Sequence, residues 1–328
     1  MSAVFQPDLT PRAALPLLAD GNLQRALILD RGETIDVARF IAQAQALAAR
    51  LPAGTHAVNL CEDRYEFLVA FCAVILAGQT NLLPASRAAQ AIADVLHAHP
   101  ASYALGDRTH AAQVRHFELP ALAGLRLEPA HAVPAIAGDH IVAIGFTSGS
   151  TGTPKANMKT WASVCASSAM NAAVLGADTT AVNLVATVPP QHMYGLEMSV
   201  LLPLRSRAAI CSGQPFFPAD IAQALAATPA PRVLVTTPIH LRALLRDGTA
   251  LPPLQAIVTA TAPLEKELAA EAEGRFAAPV IEVFGSTETC VIAHRRTVHD
   301  ELHARRGRRQ DQIRRNAGTD HRLLVAGR

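Results

Sequence analysis

The sequence predicts an α/β protein with parallel sheets and helices on both sheet faces. Short apolar runs alternate along the chain with segments of helical period. Prolines fall between these runs, at Pro100, Pro189, Pro203, Pro229 and Pro279. Half of the 328 residues are hydrophobic and only 17% are charged, so an extensive core can form. Strands linked through helices pair in parallel, because the crossover covers a face of the sheet.

Taken in order, residues 26–30 and 56–61 read as strands. Between them, 36–51 place Val37, Phe40, Ile41, Ala44, Leu47 and Ala48 at helical spacing. The apolar stretch 67–77 follows Glu62, Asp63, Arg64 and Glu66 and reads as a buried helix. At 11 residues it is far below the roughly 18 that a membrane span needs. A strand at 80–83, a helix near 87–98 and a strand at 102–105 continue the rhythm. Residues 106–138 have no clear period and read as a connecting stretch. The run 141–146 is a strand, 161–175 a helix, 182–188 a strand, and a helix lies beyond Met193. The alternation ends with a strand at 280–284. Aromatics are scarce at 4%, so Ala, Leu and Val do the packing.

Five cysteines (61, 72, 165, 211 and 290) form no Cys-x-x-Cys pair. An odd, scattered set argues against a disulfide framework or a zinc site and suits a reducing, cytoplasmic setting. The N-terminus lacks a basic-then-apolar signal. His97 and His99 read as a surface pair at a helix end.

The most informative segment is Phe146-Thr-Ser-Gly-Ser-Thr-Gly-Thr-Pro-Lys155. A buried strand stops in a loop of glycines and hydroxyls that ends on one lysine. Such a loop offers a phosphate free backbone N–H groups, hydroxyl donors, close approach and one positive charge. It is not a Walker A loop, because Gly149 and Gly152 are three apart and Lys155 follows Pro154. Two more segments stand downstream, Pro189-Pro-Gln-His-Met-Tyr-Gly195 and Phe284-Gly-Ser-Thr-Glu288. Between them lies Val258-Thr-Ala-Thr-Ala-Pro-Leu264.

Residues 147–155 resemble the signature loop of the adenylate-forming (AMP-binding) synthetases, which include acyl- and aryl-CoA ligases and peptide-synthetase adenylation domains. The match holds at every defined position, and Ala156 stands where the family usually has glycine. The resemblance implies the N-terminal large domain of such an enzyme, with two parallel-rich sheets and helices packed around them in layers. It implies that Thr147, Ser148, Gly149, Ser150, Thr151, Gly152 and Lys155 hold the triphosphate. His192 would sit at the carboxylate pocket, where an imidazole can donate to a carboxylate or swing to gate it. Thr261, Ala262 and Pro263 would wall the adenine, with Thr259 and Thr261 in places often held by serine and glycine. Phe284 would pack on the adenine beside Gly285, and Thr287 would bind the α-phosphate. Glu288, helped by Thr151, would hold magnesium. Lys155, His192, Thr287 and Glu288 are thus the implied catalytic residues.

The implied reaction activates a carboxylic acid with ATP and magnesium, releasing pyrophosphate. The acyl group then passes to the thiol of CoA or of a phosphopantetheine arm on an acyl carrier protein. The alternative is a non-catalytic remnant that binds ATP weakly or not at all. A third reading, outside the family, is a generic phosphate-binding α/β protein.

The resemblance covers roughly residues 20–298. The family's Thr-Gly-Asp segment, hinge and lysine-bearing mobile C-terminal domain have no counterpart in the sequence. The expected division is therefore a partial adenylation domain over 1–298 and a basic tail over 299–328. From residue 295 onward there are ten arginines and four acids, a net of +6. The rest carries −4 within a chain total of +2. That composition suits a disordered end, or out-of-frame translation of a GC-rich gene. A nucleic-acid-binding arm is disfavoured because the segment has no aromatic to stack on bases.

Overall fold

The computed structural model describes residues 12–106, 115–147 and 155–298, and the backbone of 301–304. The chain begins with β1 (Leu15–Pro16), β2 (Ala26–Asp30), β3 (Glu33–Asp36), α1 (Val37–Ala48), β4 (His56–Asn59), α2 (Arg64–Leu76) and β5 (Thr80–Leu83). It continues with α3 (Ala89–Ala98), β6 (Ser102–Gly106), β7 (His116–Glu118), β8 (Ala135–Ile136), β9 (Ile141–Thr147), β10 (Lys155–Thr160) and α4 (Trp161–Leu175). Next come β11 (Asn183–Ala186), α5 (Met193–Leu196), α6 (Leu202–Arg205), β12 (Ala209–Cys211), α7 (Pro218–Ala227), β13 (Arg232–Thr236) and α8 (Pro238–Asp247). The last elements are β14 (Ala256–Thr259), α9 (Lys266–Phe276), β15 (Val280–Ser286), β16 (Cys290–Arg296) and β17 (Glu301–Ala304).

Two large sheets carry the architecture. One has six strands in the order β10-β9-β5-β4-β6-β7, the other nine in the order β17-β16-β15-β14-β13-β11-β12-β2-β3. Their interiors are parallel, as the helical crossovers require. Antiparallel strands lie at the margins: β10 on β9, β3 on β2, and β16 and β17 beyond β15. β1 and β8 form a separate two-stranded ribbon.

The helix expected at 67–77 is α2, with Phe67, Leu68, Phe71, Val74 and their neighbours inaccessible to solvent. Its apolar character runs all the way round, which is the signature of a helix buried on every side. Asp63 caps it, accepting from the N–H groups of Tyr65 at 2.8 Å and Glu66 at 3.2 Å. Its first residue, Arg64, is fully buried and ties the smaller sheet's helix to the larger sheet. The guanidinium donates to the carbonyls of Ala186 at 3.0 Å and Val188 at 2.9 Å. Burial lowers the Arg64 pKa to about 10, which leaves it charged at neutral pH.

Three local expectations change. The segment between the glycine-hydroxyl loop and the helix at 161–175 is a strand; β10 folds back on β9 before Thr160 caps α4. The alternation in Lys155-Ala-Asn-Met-Lys-Thr160 is that of a strand, with Asn157 and Lys159 turned inward. The stretch 106–138 contributes β7 and β8. Within the segment 299–328, residues Glu301–Ala304 pair with Ala293–Arg296 of β16. The rest of that segment lies outside the described residues.

Candidate active site

β9 delivers the chain to the site. It ends at Thr147, and the return strand β10 starts at Lys155 directly opposite Thr147 in register. Ser148, Gly149, Ser150, Thr151 and Gly152 lie between them, outside the described residues. Lys155 itself is exposed at the mouth of the hairpin.

The second contributor is the tight connection between β15 and β16. Ser286 pairs with Cys290, and the Thr289 N–H donates to the Ser286 carbonyl at 3.2 Å. Thr287 and Glu288 therefore sit at the tip. Gly285 is needed here, because a Cβ would come within 2.6 Å of the Cys290 carbonyl oxygen.

The two hairpins meet. The Thr147 hydroxyl donates to a Glu288 carboxylate oxygen at 3.4 Å. Two positions earlier on β9, a Cβ on Gly145 would lie 2.6 Å from the Thr287 methyl and 3.3 Å from the Met193 methyl. From below, Lys159 donates to the Glu288 carbonyl at 3.0 Å. That lysine is only 3% exposed, so its charge acts in a poorly solvated space. Partial burial raises the Glu288 pKa, but other contacts outweigh it. Hydrogen bonds from Ser286, its own N–H and Thr147, with the Lys159 charge, bring the net value below the ordinary carboxylate one. Glu288 is a firm anion at neutral pH.

The third contributor is the segment after β11. His192 precedes α5, and Gly195 lies within it. A Cβ on Gly195 would fall 1.9 Å from the Pro189 carbonyl oxygen, so the chain closes on itself there only with glycine. Desolvation, then the nearby Arg87 charge, lowers the His192 pKa. The ring is neutral at physiological pH and can donate or accept a proton. Tyr194 anchors the segment, its hydroxyl donating to the Val258 carbonyl at 3.0 Å.

Two cavities adjoin these residues and share the wall made by His192, Met193 and Thr287. One, of about 240 Å³, reaches Gly145, Thr147 and Gln191. The other, of about 270 Å³, runs past Tyr194, Glu197 and Thr261 to Cys290. Thr261 holds a positive φ of 81°, the backbone region where glycine is at ease and threonine is strained. Ala262 and Pro263 are exposed beside it. Phe284 has its ring face under the Arg295 guanidinium, 5.2 Å from the centroid, and stands just outside the larger cavity.

Thr147, His192, Thr261, Thr287 and Glu288 are thus brought together, while Lys155 stands exposed at the start of β10 opposite Thr147 and Phe284 lines neither cavity. Sequence reasoning missed Lys159 and Glu197. Lys159 carried no usable signal, because the strand character of β10 comes from its pairing with β9. Glu197 carried none, because a single acid in an apolar helix reads as a surface charge.

Among the described residues, no group of three or more His, Cys, Asp or Glu side chains could hold a metal alone. Glu288 and the Thr147 hydroxyl make a sparse, all-oxygen donor set. That set fits magnesium, which takes one or two protein oxygens and fills its shell with phosphates and water.

The profile of the family described as AMP-binding enzyme matches residues 19–318. The chain belongs to that family. Its fold is shared with solved members at low sequence identity. One is the o-succinylbenzoate CoA synthetase of Bacillus subtilis, in complex with its acyl-adenylate intermediate, at 20% identity and a TM-score of 0.74. The superposition covers 87% of this chain and 62% of that one. Another is ATP-bound MatB of Rhodopseudomonas palustris, at 20% identity, a TM-score of 0.67, and coverage of 84% and 60%. This AMP-binding chain therefore spans about six-tenths of the length of these structures. No curated protein is similar to it in sequence at a significant level. No helix among the described residues is long and apolar enough to cross a membrane.

Proposed function

We propose that this chain carries the nucleotide- and acid-binding cleft of an AMP-forming acid–thiol ligase. The protein it represents would join a carboxylic acid to the α-phosphate of ATP, releasing pyrophosphate. It would then pass the acyl group to a thiol of CoA or of a carrier-protein arm. The Thr147–Glu288 contact carries this reading, since it joins the strand entering the glycine-hydroxyl loop to the hairpin bearing the acidic ligand.

The chemistry needs no protein nucleophile. The acid's own carboxylate attacks phosphorus, and the protein positions the reactants and neutralises charge as it moves on to pyrophosphate. Lys155 and the residues of 147–152 steady the β- and γ-phosphates. Thr287 donates to the α-phosphate. Neutral His192 orients the incoming carboxylate. Phe284 with Gly285, and Thr261, Ala262 and Pro263, border the adenine. Glu288, with Thr147 and Thr151, would hold magnesium, which would supply charge neutralisation on the phosphates.

Carboxylate-dependent exchange of labelled pyrophosphate into ATP tests the proposal on this chain, with calorimetric ATP binding in parallel. Exchange with one member of an acid panel supports it. ATP binding without exchange favours the alternative of a nucleotide-binding remnant, and no ATP binding at all rejects the site.

A further inference from the structure

We propose that Glu282 and Arg295 position the base of the nucleotide: one buried carboxylate fixes both walls of the adenine slot, and the share of ATP affinity owed to the base depends on the pair. The inference deepens the adenylation reading and rests on it for where the base lies.

Glu282 stands two residues before Phe284 on β15 and is 2% exposed. Side chains alternate along a strand, so Glu282 and Phe284 share one face of the sheet. β16 runs antiparallel beside them and sets Arg295 directly opposite Glu282, on that same face. Arg295 Nε and Nη2 both donate to one carboxylate oxygen, Glu282 Oε2, at 3.1 and 2.6 Å. The Thr297 hydroxyl donates to the same oxygen at 3.2 Å. A planar guanidinium held at two nitrogens has its plane fixed. Held this way, Arg295 lies over the Phe284 ring, with Cζ 5.2 Å from the centroid.

That stack matters because apolar packing does not hold the ring. Phe284 is partly exposed, and among the described residues it packs against none of the three apolar clusters. Its strand neighbours Ile281 and Val283, by contrast, belong to the largest of them. The guanidinium covers one face of the ring, so a base stacks on the other. A platform fixed before the ligand arrives loses less freedom on binding, which raises the affinity that stacking contributes.

The second wall is tied to the same carboxylate. Glu282 Oε1 accepts from the Leu264 N–H at 3.0 Å. Leu264 directly follows Thr261, Ala262 and Pro263. Thr259, where that connection leaves β14, is the register partner of Glu282. The bond therefore returns the end of the turn to the level at which it began. It braces the turn around Thr261, whose φ of 81° persists only where the surroundings impose it. One side chain thus links the Thr261–Pro263 turn to Arg295, and through Arg295 to Phe284.

The test is calorimetric binding of ATP and of tripolyphosphate, each with magnesium, to the full chain. Tripolyphosphate offers the phosphates without a base, so the ratio of the two affinities isolates what the nucleoside adds. Arg295→Gln should lower that ratio about tenfold, within the range of one base–aromatic stack, and leave tripolyphosphate binding unchanged. Arg295→Lys keeps a cation beside Glu282 without the guanidinium plane, and should lose the ratio as well. If Arg295→Gln does not fold, Arg295→Lys decides alone; failure of both to fold would make the pair structural and overturn the proposal. An unchanged ratio in either variant, or an equal loss for both ligands, overturns it and leaves the adenylation reading standing. A wild type that binds ATP no tighter than tripolyphosphate also overturns it, and one that binds neither ligand ends both readings.

Discussion

Thr147 and Glu288 are 141 positions apart in the chain and touch at 3.4 Å through hydroxyl and carboxylate. The contact closes one end of a cleft whose other walls are His192, Met193 and Thr287. It makes the ends of two separate sheets into one site.

Lys155→Ala and Glu288→Ala should each reduce pyrophosphate exchange by about a hundred- to a thousandfold, the usual loss for one charged transition-state donor or ligand. Both side chains are exposed, so melting temperatures should stay near wild type. Loss of exchange with a matching loss of stability would contradict a direct role.

Lys159→Met should weaken ATP binding in the presence of magnesium more than in its absence. The lysine braces the turn that presents Glu288, and lends it charge, without reaching solvent. A decrease of about tenfold corresponds to one charge-assisted hydrogen bond. Calorimetry with and without magnesium checks this; partial rescue by Lys159→Arg is expected, and equal loss in both conditions would argue against it.

Gly195→Ala should destabilise the fold by about 1–3 kcal/mol or more, because the new methyl overlaps backbone. The Pro189 carbonyl, 1.9 Å from the required Cβ position, cannot move without shifting the His192 segment. Chemical denaturation measures the loss, and an unchanged midpoint would show that the segment adapts freely.

Stability should fall as pH drops below about 6.5. His56, His99, His192 and His240 all have pKa values lowered, mainly by desolvation. A lowered folded-state value means that the unfolded chain binds protons first. Stability is therefore fully present above the unfolded pKa and declines from there toward the folded pKa values. Melting curves from pH 7.5 to pH 5 check the sign, and His99→Gln should flatten the profile. His99 packs edge-on against Phe146 at 5.8 Å, so part of this titration lies against β9.

Arg64→Leu should cost about 2–5 kcal/mol, since two buried carbonyls lose a charged donor. Those carbonyls belong to Ala186 and Val188, at the end of β11 and just ahead of the His192 segment. Urea unfolding reports the energy, and a weaker affinity for acids would report the displaced segment.

Much of the fold was legible from apolar periodicity. The strands at 26–30 and 80–83 have the expected bounds, and α4 spans Trp161–Leu175. α2 was readable because eleven apolar residues without a polar face can only be buried. β10 was not, because its strand character comes from pairing with β9. A six-residue segment ending in Lys-Thr has no strong preference of its own. The strand Glu301–Ala304 was hidden in an arginine-rich stretch for the same reason.

The site divides along the same line. The loop, the histidine-glycine segment and the Thr-Glu tip are local, since each depends on residue types at short spacing that the chain displays openly. Lys159 beneath Glu288 and Glu197 in the cavity wall are not local. A buried charge has meaning only through what surrounds it, and those surroundings come from strands far apart in sequence. By itself the sequence determined the alternation of elements, the family and the short motifs from which a phosphate-binding role is proposed. Only tertiary structure decided that the separate hairpins share one cleft, that a second lysine braces it from beneath and that a second carboxylate lines it. Parallel sheets place the ends of distant strands side by side, and no short-range pattern records which ends meet.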